Sequence, residues 1–293
     1  MSIDEALNRA STLLKEGGIE GARSEARILL GHVLGATREE LLLCHANSLA
    51  KNKFEEFMSL TARRVAREPI AYLTGEREFW GLTFEVTRET LIPRPDSETL
   101  IEAALDFARE NGLNRPRILD IGTGSGCLMI SLLNEMPEAG GVATDISFAA
   151  LEVARRNAAR HGVAARAHFA AVSWGGALKS LFDLIIANPP YIAEDARASL
   201  MPDVVDYEPK EALFAGATGV DAYRALAPDL ARLIAPEGRI FIELGQGCGQ
   251  QVTELFTASG MRECANRSDL AGIERCAMFA RAESPTAAME KYG

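Results

Sequence analysis

An α/β fold is what this sequence predicts: a seven-stranded, mostly parallel sheet with helices on both faces, preceded by a small all-α domain. Three observations predict it. From Arg117 onward, short apolar runs alternate with helical patterns, as strand–helix–strand units require. The first of these runs feeds a glycine-rich loop and then an apolar helix. A later run, Phe182-Asp183-Leu184-Ile185-Ile186-Ala187, is apolar enough to be covered on both faces and stops abruptly in Asn188-Pro189-Pro190-Tyr191.

The elements follow in order. Leu7, Leu13 and Leu14 lie at helical spacing before Gly17-Gly18. A second helix spans 22–34, with Ala26, Leu29, Leu30 and Val33 on one face and Gly35 as its stop. Thr37 is placed to cap a third helix carrying Leu41, Leu42 and Leu43. A fourth begins near residue 53 and carries Phe54, Phe57, Leu60 and Val65. Arg63, Arg64 and Arg67 read as a solvated helix face, and Pro69 reads as the end of the helices. Residues 1–70 are thus expected to form a helical N-terminal domain, 71–90 a hairpin or linker, and 91–293 the main domain.

Residues 78–86 alternate apolar and polar around Gly81, which predicts a short hairpin. The prolines of Ile92-Pro93-Arg94-Pro95-Asp96-Ser97-Glu98 give an extended lead-in, and Asp96 or Ser97 is placed to cap a helix reaching about residue 109. Strands are expected at 117–121, 141–145, 166–172, 182–187 and 239–244, with two more near 261–265 and 275–280. The tail after Ala282 reads as loosely ordered.

Composition bounds the function. Of 293 residues, 47% are hydrophobic and 25% charged, as in an ordinary globular protein. A net charge of −10 argues against general attraction to nucleic acid or anionic membrane, so no direct nucleic-acid partner is expected. The five cysteines, Cys44, Cys127, Cys248, Cys264 and Cys276, form no framework and read as reduced thiols. His32, His45, His161 and His168 lack metal-ligand spacing, so no metal is expected. The first residues lack the basic and apolar regions of a signal peptide, and no apolar run approaches membrane-spanning length. A cytoplasmic monomer with no membrane partner is the expectation.

The glycine loop, Asp120-Ile121-Gly122-Thr123-Gly124-Ser125-Gly126, fits neither phosphate-binding pattern. Its spacing is not that of the dinucleotide fingerprint, and no Gly-Lys-Ser/Thr follows. The loop suits a ligand without phosphate. The next strand ends at Asp145, where a carboxylate can accept both hydroxyls of a ribose. Trp174 follows the third strand and can cover one face of adenine. Asp120 can reach the amino-acid end of such a ligand or simply hold the loop.

Asn188 stands at the carboxyl end of a central strand, because two prolines allow neither helix nor a continued ladder. Its carboxamide and the Pro189 carbonyl offer two acceptors for one NH₂ group, and Tyr191 offers a flat aromatic wall. By itself this stretch reads as a rigid turn. With a ribose site and no phosphate site on the neighbouring strands, it points to S-adenosylmethionine as methyl donor and a planar amide or aromatic amine as acceptor.

The combination resembles the release-factor glutamine methyltransferase family (HemK/PrmC-like), within the class I S-adenosylmethionine-dependent methyltransferases. Besides the helical N-terminal domain, the resemblance rests on the Ile92 to Glu98 segment, the Asp120 to Gly126 loop, Asp145-Ile146-Ser147 and Asn188-Pro189-Pro190-Tyr191-Ile192. It rests also on Glu208-Pro209-Lys210-Glu211-Ala212-Leu213 and Glu243-Leu244-Gly245. It implies a Rossmann-like methyltransferase sheet. It also implies methylation of the side-chain amide nitrogen of the glutamine in the Gly-Gly-Gln motif of class I peptide chain release factors, with S-adenosyl-L-homocysteine as the other product.

Carried over by residue, Asp120, Gly122, Thr123, Gly124, Ser125, Gly126, Asp145 and Trp174 would hold the cofactor. Asn188 would stand between cofactor and substrate, and Pro189, Pro190 and Tyr191 would hold the glutamine. The helical N-terminal domain would grip the protein substrate. Ser173 departs from the family, which often places an acidic residue before the tryptophan; a hydroxyl accepts the adenine amine more weakly. The rival expectations are a glutamine of a large-subunit ribosomal protein, the exocyclic amine of adenine in nucleic acid, and a non-catalytic binding protein on the same scaffold.

Overall fold

The computed structural model describes residues 1–43 and 47–282. Cys44, His45 and the tail after Ala282 therefore lie outside the described residues. The chain divides into two compact units, one of Met1–Glu76 with Met201–Tyr207 and one of Arg77–Leu200 with Glu208–Gly293.

The first unit is helical. Helices α1 (Ile3–Glu16), α2 (Ala22–Leu34), α3 (Arg38–Leu43), α4 (Lys51–Val65) and α5 (Ile70–Thr74) surround one apolar core. Ala6, Ala10 and Leu14 of α1 meet Ala26, Leu29 and Leu30 of α2 and Phe57 of α4, all fully buried. Reciprocal caps start two of these helices, Ser2 with Glu5 and Thr37 with Glu40. Gly35 ends α2 in the left-handed conformation.

Two expectations fail here. Pro69 does not end the helices but precedes α5, where its fixed φ suits the entry to a first turn. Nor do the three arginines together form a solvated face: Arg63 is exposed, but Arg64 is not. The Arg64 guanidinium is buried and donates to Glu25, to Asp203 and to the Glu68 carbonyl, while Arg63 pairs with Glu68 and Arg67 donates to the Gly17 and Gly18 carbonyls. A buried guanidinium requires such partners. The Asp203 partner lies 139 residues away, beyond what helical periodicity can reveal.

The second unit opens with a hairpin, β1 (Glu76–Phe79) and β2 (Leu82–Glu85), turned at Trp80 and Gly81 with φ of +53° and +68°. Two successive positive φ values match the right-handed twist of the strands they join. The main sheet contains β3 (Arg117–Ile121), β4 (Gly140–Asp145), β5 (Ala167–Ala171), β6 (Phe182–Ala187), β7 (Ile234–Glu243), β8 (Met261–Ser268) and β9 (Glu274–Arg281). Their order is β5-β4-β3-β6-β7-β9-β8, parallel throughout except for β9, which runs antiparallel to both its neighbours. The chain winds outward from β3 to β5 and returns to β6 beside β3, so the switch point lies between β3 and β6.

Helices α6 (Glu98–Glu110), α7 (Cys127–Glu135) and α8 (Phe148–Arg160) pack with their apolar faces inward. A further helix, Asp221–Leu233, covers the other core with Tyr223, Leu226 and Leu230. Buried residues fill β3 and β6 on both faces, as their uninterrupted apolar runs require. Strand β7 begins five residues before the expected Arg239. A register shift against β6 lets Ile234 pair with Phe182, and Gly238 makes room where a Cβ would stand 2.9 Å from the Phe182 carbonyl oxygen.

Candidate active site

A cavity of about 630 Å³ opens at the carboxyl ends of β3, β4 and β6, all within the second unit. Of the residues expected to form the site, Gly122, Gly124, Asp145, Trp174, Asn188, Pro189 and Pro190 line it together, as does Ser173. Asp120, Thr123, Ser125, Gly126 and Tyr191 do not reach the cavity wall.

Main-chain bonds shape the glycine loop. The amides of Gly122 and Thr123 both donate to the Thr144 carbonyl at 2.9 Å, and the Gly124 amide donates to Asp145 Oδ2 at 2.9 Å. Asp145 Oδ1 accepts from the Ser147 amide, so the carboxylate at the end of β4 is fixed from two sides and faces the loop. The three glycines differ in purpose. Gly122 and Gly124 have φ of +74° and +54°, and a Cβ on either would meet no protein atom within 4 Å. Gly126 has φ +84°, and there a Cβ would stand 2.8 Å from Ile130 Cδ1 and 3.1 Å from Ala154 Cβ. The first two leave open room for a ligand; the third lets α7 and α8 close against the loop.

Beneath the loop, Asp120 is fully buried. Its Oδ2 accepts from the Thr123 hydroxyl at 2.6 Å, whereas Oδ1 has no partner. Burial, opposed by the Thr123 bond, pushes its carboxyl up to about 7. An orphan buried acceptor behind two unfilled glycine positions, with a fixed carboxylate opposite, fits a ligand bearing both hydroxyl and ammonium donors.

On the other side of the switch point, Asn188 Nδ2 donates to Ser97 Oγ at 3.1 Å. The Ser97 hydroxyl in turn donates to Glu243 Oε2, and the Tyr191 hydroxyl donates to Glu243 Oε1 at 3.4 Å. Glu243 is buried at the end of β7, where register with β6 brings it beside Asn188: Ala187 pairs with Ile242 one position earlier. Burial pushes the Glu243 carboxyl up to about 7, with the Ser97 bond pulling the other way. Tyr191 packs its ring on Gly245, where a Cβ would lie 2.9 Å from its Cδ2. It braces Glu243 instead of walling the cavity. Burial and the adjacent Glu243 raise its hydroxyl above the ordinary phenol value.

One further expectation changes. Ser97 does not cap α6: its hydroxyl is spent on Glu243, and a short 3₁₀ turn, Pro95–Ser97, leads into the helix. The two Pro-containing segments meet through Glu208, which accepts from the Ile92 amide at 3.1 Å and pairs with Arg94. The sequence offers Ser97 only as a helix cap and Glu243 only as the first residue of Glu243-Leu244-Gly245. The available signal for Glu243 was a lone acidic residue ending an apolar strand next to the one that carries Asn188. Among the described residues, no group of histidine, cysteine and carboxylate side chains is placed to hold a metal, and no helix is long and apolar enough to cross a membrane.

Known proteins resemble this chain in sequence and in fold. Residues 5–75 match the PrmC N-terminal domain family, and residues 98–213 match the methyltransferase small domain family. Among solved structures, the hMettl16 catalytic domain shares the fold at 19% identity, with a TM-score of 0.54 over 77% of this chain and 83% of that one. The chain is 41% identical over 275 residues to the release factor glutamine methyltransferase of Rhodospirillum rubrum, covering 94% of this chain and 84% of the relative. It is 43% identical over 286 residues to that of Bradyrhizobium diazoefficiens, covering 97% of this chain and 96% of the relative. With that identity over almost the whole of both chains, this protein belongs to the release factor glutamine methyltransferase family.

Proposed function

We propose that this protein transfers a methyl group from S-adenosylmethionine to the side-chain amide nitrogen of the glutamine in the Gly-Gly-Gln motif of class I peptide chain release factors. The observation that carries the proposal is the pairing on one cavity wall of the Asn188 carboxamide with Pro189, across from a glycine loop open to a ligand. S-adenosylmethionine, when bound, supplies a methyl group activated by a sulfonium. Gly122, Gly124, Asp145 and Trp174 would line its place, with Asp120 buried beneath the loop.

The chain's own task is to orient a poor nucleophile. An amide nitrogen has its lone pair delocalised into the carbonyl, so the enzyme gains most by holding it in line and dry. Asn188 Oδ1 and the Pro189 carbonyl accept its two protons, which favours positive charge as it develops on nitrogen. Neither the Asn188 carboxamide nor the Pro189 carbonyl is a general base, so the excess proton leaves to water afterward. The helical N-terminal domain holds the release factor outside the Gly-Gly-Gln tip.

Mass spectrometry of a purified release factor after incubation with enzyme and S-adenosylmethionine should find one added methyl group on that glutamine. Asn188→Ala should lower transfer about 100-fold or more while cofactor binding persists. Transfer to a ribosomal-protein glutamine or to adenine but not to the release factor would overturn the proposal.

A further inference from the structure

We propose that Ser97 and Glu243 are positioning residues for the methyl acceptor: the buried carboxylate sets the direction of the Ser97 hydroxyl, which sets which edge of the Asn188 carboxamide faces the cavity. This rests on the function proposed above, and it assigns the device that makes Asn188 selective for an NH₂ group.

The argument is one of counting protons. A serine hydroxyl has one proton to donate, and an ionised carboxylate can only accept. Ser97 therefore spends its proton on Glu243 Oε2 and is left with lone pairs toward Asn188. Only the Nδ2 edge of Asn188 can meet those lone pairs, so Oδ1 is turned to the cavity. A flipped carboxamide would set Oδ1 against an oxygen with no proton to share, in a place where Ser97 and Glu243 are both buried. The Tyr191 hydroxyl fills the other carboxylate oxygen, so Glu243 has no free acceptor that could recruit Asn188 directly.

Protonation reverses this polarity. A neutral Glu243 can donate to Ser97, whose own proton then points at Asn188 and draws Oδ1 inward. The cavity is left facing an NH₂ edge that repels the acceptor's NH₂. Because burial holds this carboxyl near 7, the reversal falls in an accessible range. The groups facing Glu243 are Asp96 and Arg275, with Tyr191, Tyr223, Cys127 and Cys276 around them. Arg275 favours the ionised form, whereas Asp96 opposes it.

The test measures kcat for methylation of intact release factor across the neutral range, beside S-adenosylmethionine binding by calorimetry. Wild-type kcat should fall as pH drops through about 7. Ser97→Ala should lower kcat about 100-fold, leave cofactor affinity unchanged, and abolish the acid limb. Ser97→Thr, which keeps the hydroxyl, should restore both rate and limb. Glu243→Gln, with nothing to titrate, should lose the limb even if Ser97→Ala proves poorly folded. Full activity of Ser97→Ala, or an unchanged acid limb in Glu243→Gln, would overturn the positioning role. If Asn188→Ala is inactive in the same assay, only this inference falls; if Asn188→Ala is also fully active, the proposed function itself falls.

Discussion

The two loops that flank the switch point are built in opposite ways. The loop after β3 is held by its own main chain: its amides bond to Thr144 and Asp145 of the adjacent strand, and its side chains contribute little to the cavity. The loop after β6 is stiffened by prolines, but its working group, Asn188, is aimed by side chains from 91 residues earlier and, through Ser97, from the end of β7. Each loop has a buried carboxyl behind it held near 7. Asp120 keeps one oxygen without a partner, while both oxygens of Glu243 are taken. The first loop thus presents a shape, with a spare acceptor buried behind it. The second presents a direction.

If shape governs the first loop, its glycines should fail for reasons of space. The largest expected effect is at Gly126, where any Cβ overlaps Ile130 and crowds Ala154 at a φ that β-branched residues avoid. Gly126→Val should destabilise the protein by roughly 4 kcal/mol or more, the sum of overpacking and left-handed strain. Denaturant titration checks it, and a loss below about 1 kcal/mol would mean that α7 and α8 are not locked together through this residue.

The same contrast explains what could be read from the chain without coordinates. The glycine loop was legible because its determinants are consecutive: strand, three glycines, apolar helix, and an aspartate at the next strand end. Asn188 was legible because Pro189 and Pro190 leave it no regular structure. Its partners were not. Ser97 has the pattern of an ordinary helix cap, and only the register of β7 against β6 puts Glu243 where it takes that hydroxyl. Arg64 was misread for the same reason, since its partner Asp203 is remote in sequence. Periodicity reports which face is buried, but it does not report which buried polar groups find each other.

A second way to sharpen the comparison uses the buried carboxyl behind the acceptor loop. Glu243 has a folded-state pKa raised from 4.5 to about 7, so the folded state binds its proton more tightly than the unfolded chain does. The stability this supplies is complete below about 4.5 and is lost as pH rises through about 7. Glu243→Gln cannot lose it. Relative to wild type, the variant should therefore gain on the order of 3 kcal/mol between about pH 4.5 and about pH 8, following the shift at 1.36 kcal/mol per unit. Asp120 titrates in both proteins and cancels in the difference. Parallel denaturation curves at the two pH values would show that Glu243 is ionised at no such cost.

The smallest effect on stability, and the most informative about the first loop, is expected at Gly124. Its φ of +54° is uncommon for alanine, but a Cβ there meets no protein atom within 4 Å, unlike the one at Gly126 two residues on. Gly124→Ala should cost only about 1 kcal/mol of stability, the left-handed strain alone. The added methyl would instead occupy space along the wall that Gly124 shares with Asp145 and Asn188. Affinity for S-adenosylmethionine should fall about tenfold or more, equivalent to ~1.4 kcal/mol, while the pH limb set by Glu243 stays in place. Calorimetry and the pH profile of kcat separate the two loops in one variant. Unchanged affinity would mean that the open side of Gly124 is not the cofactor's wall, and a displaced limb would mean that the two loops are coupled and not independently built.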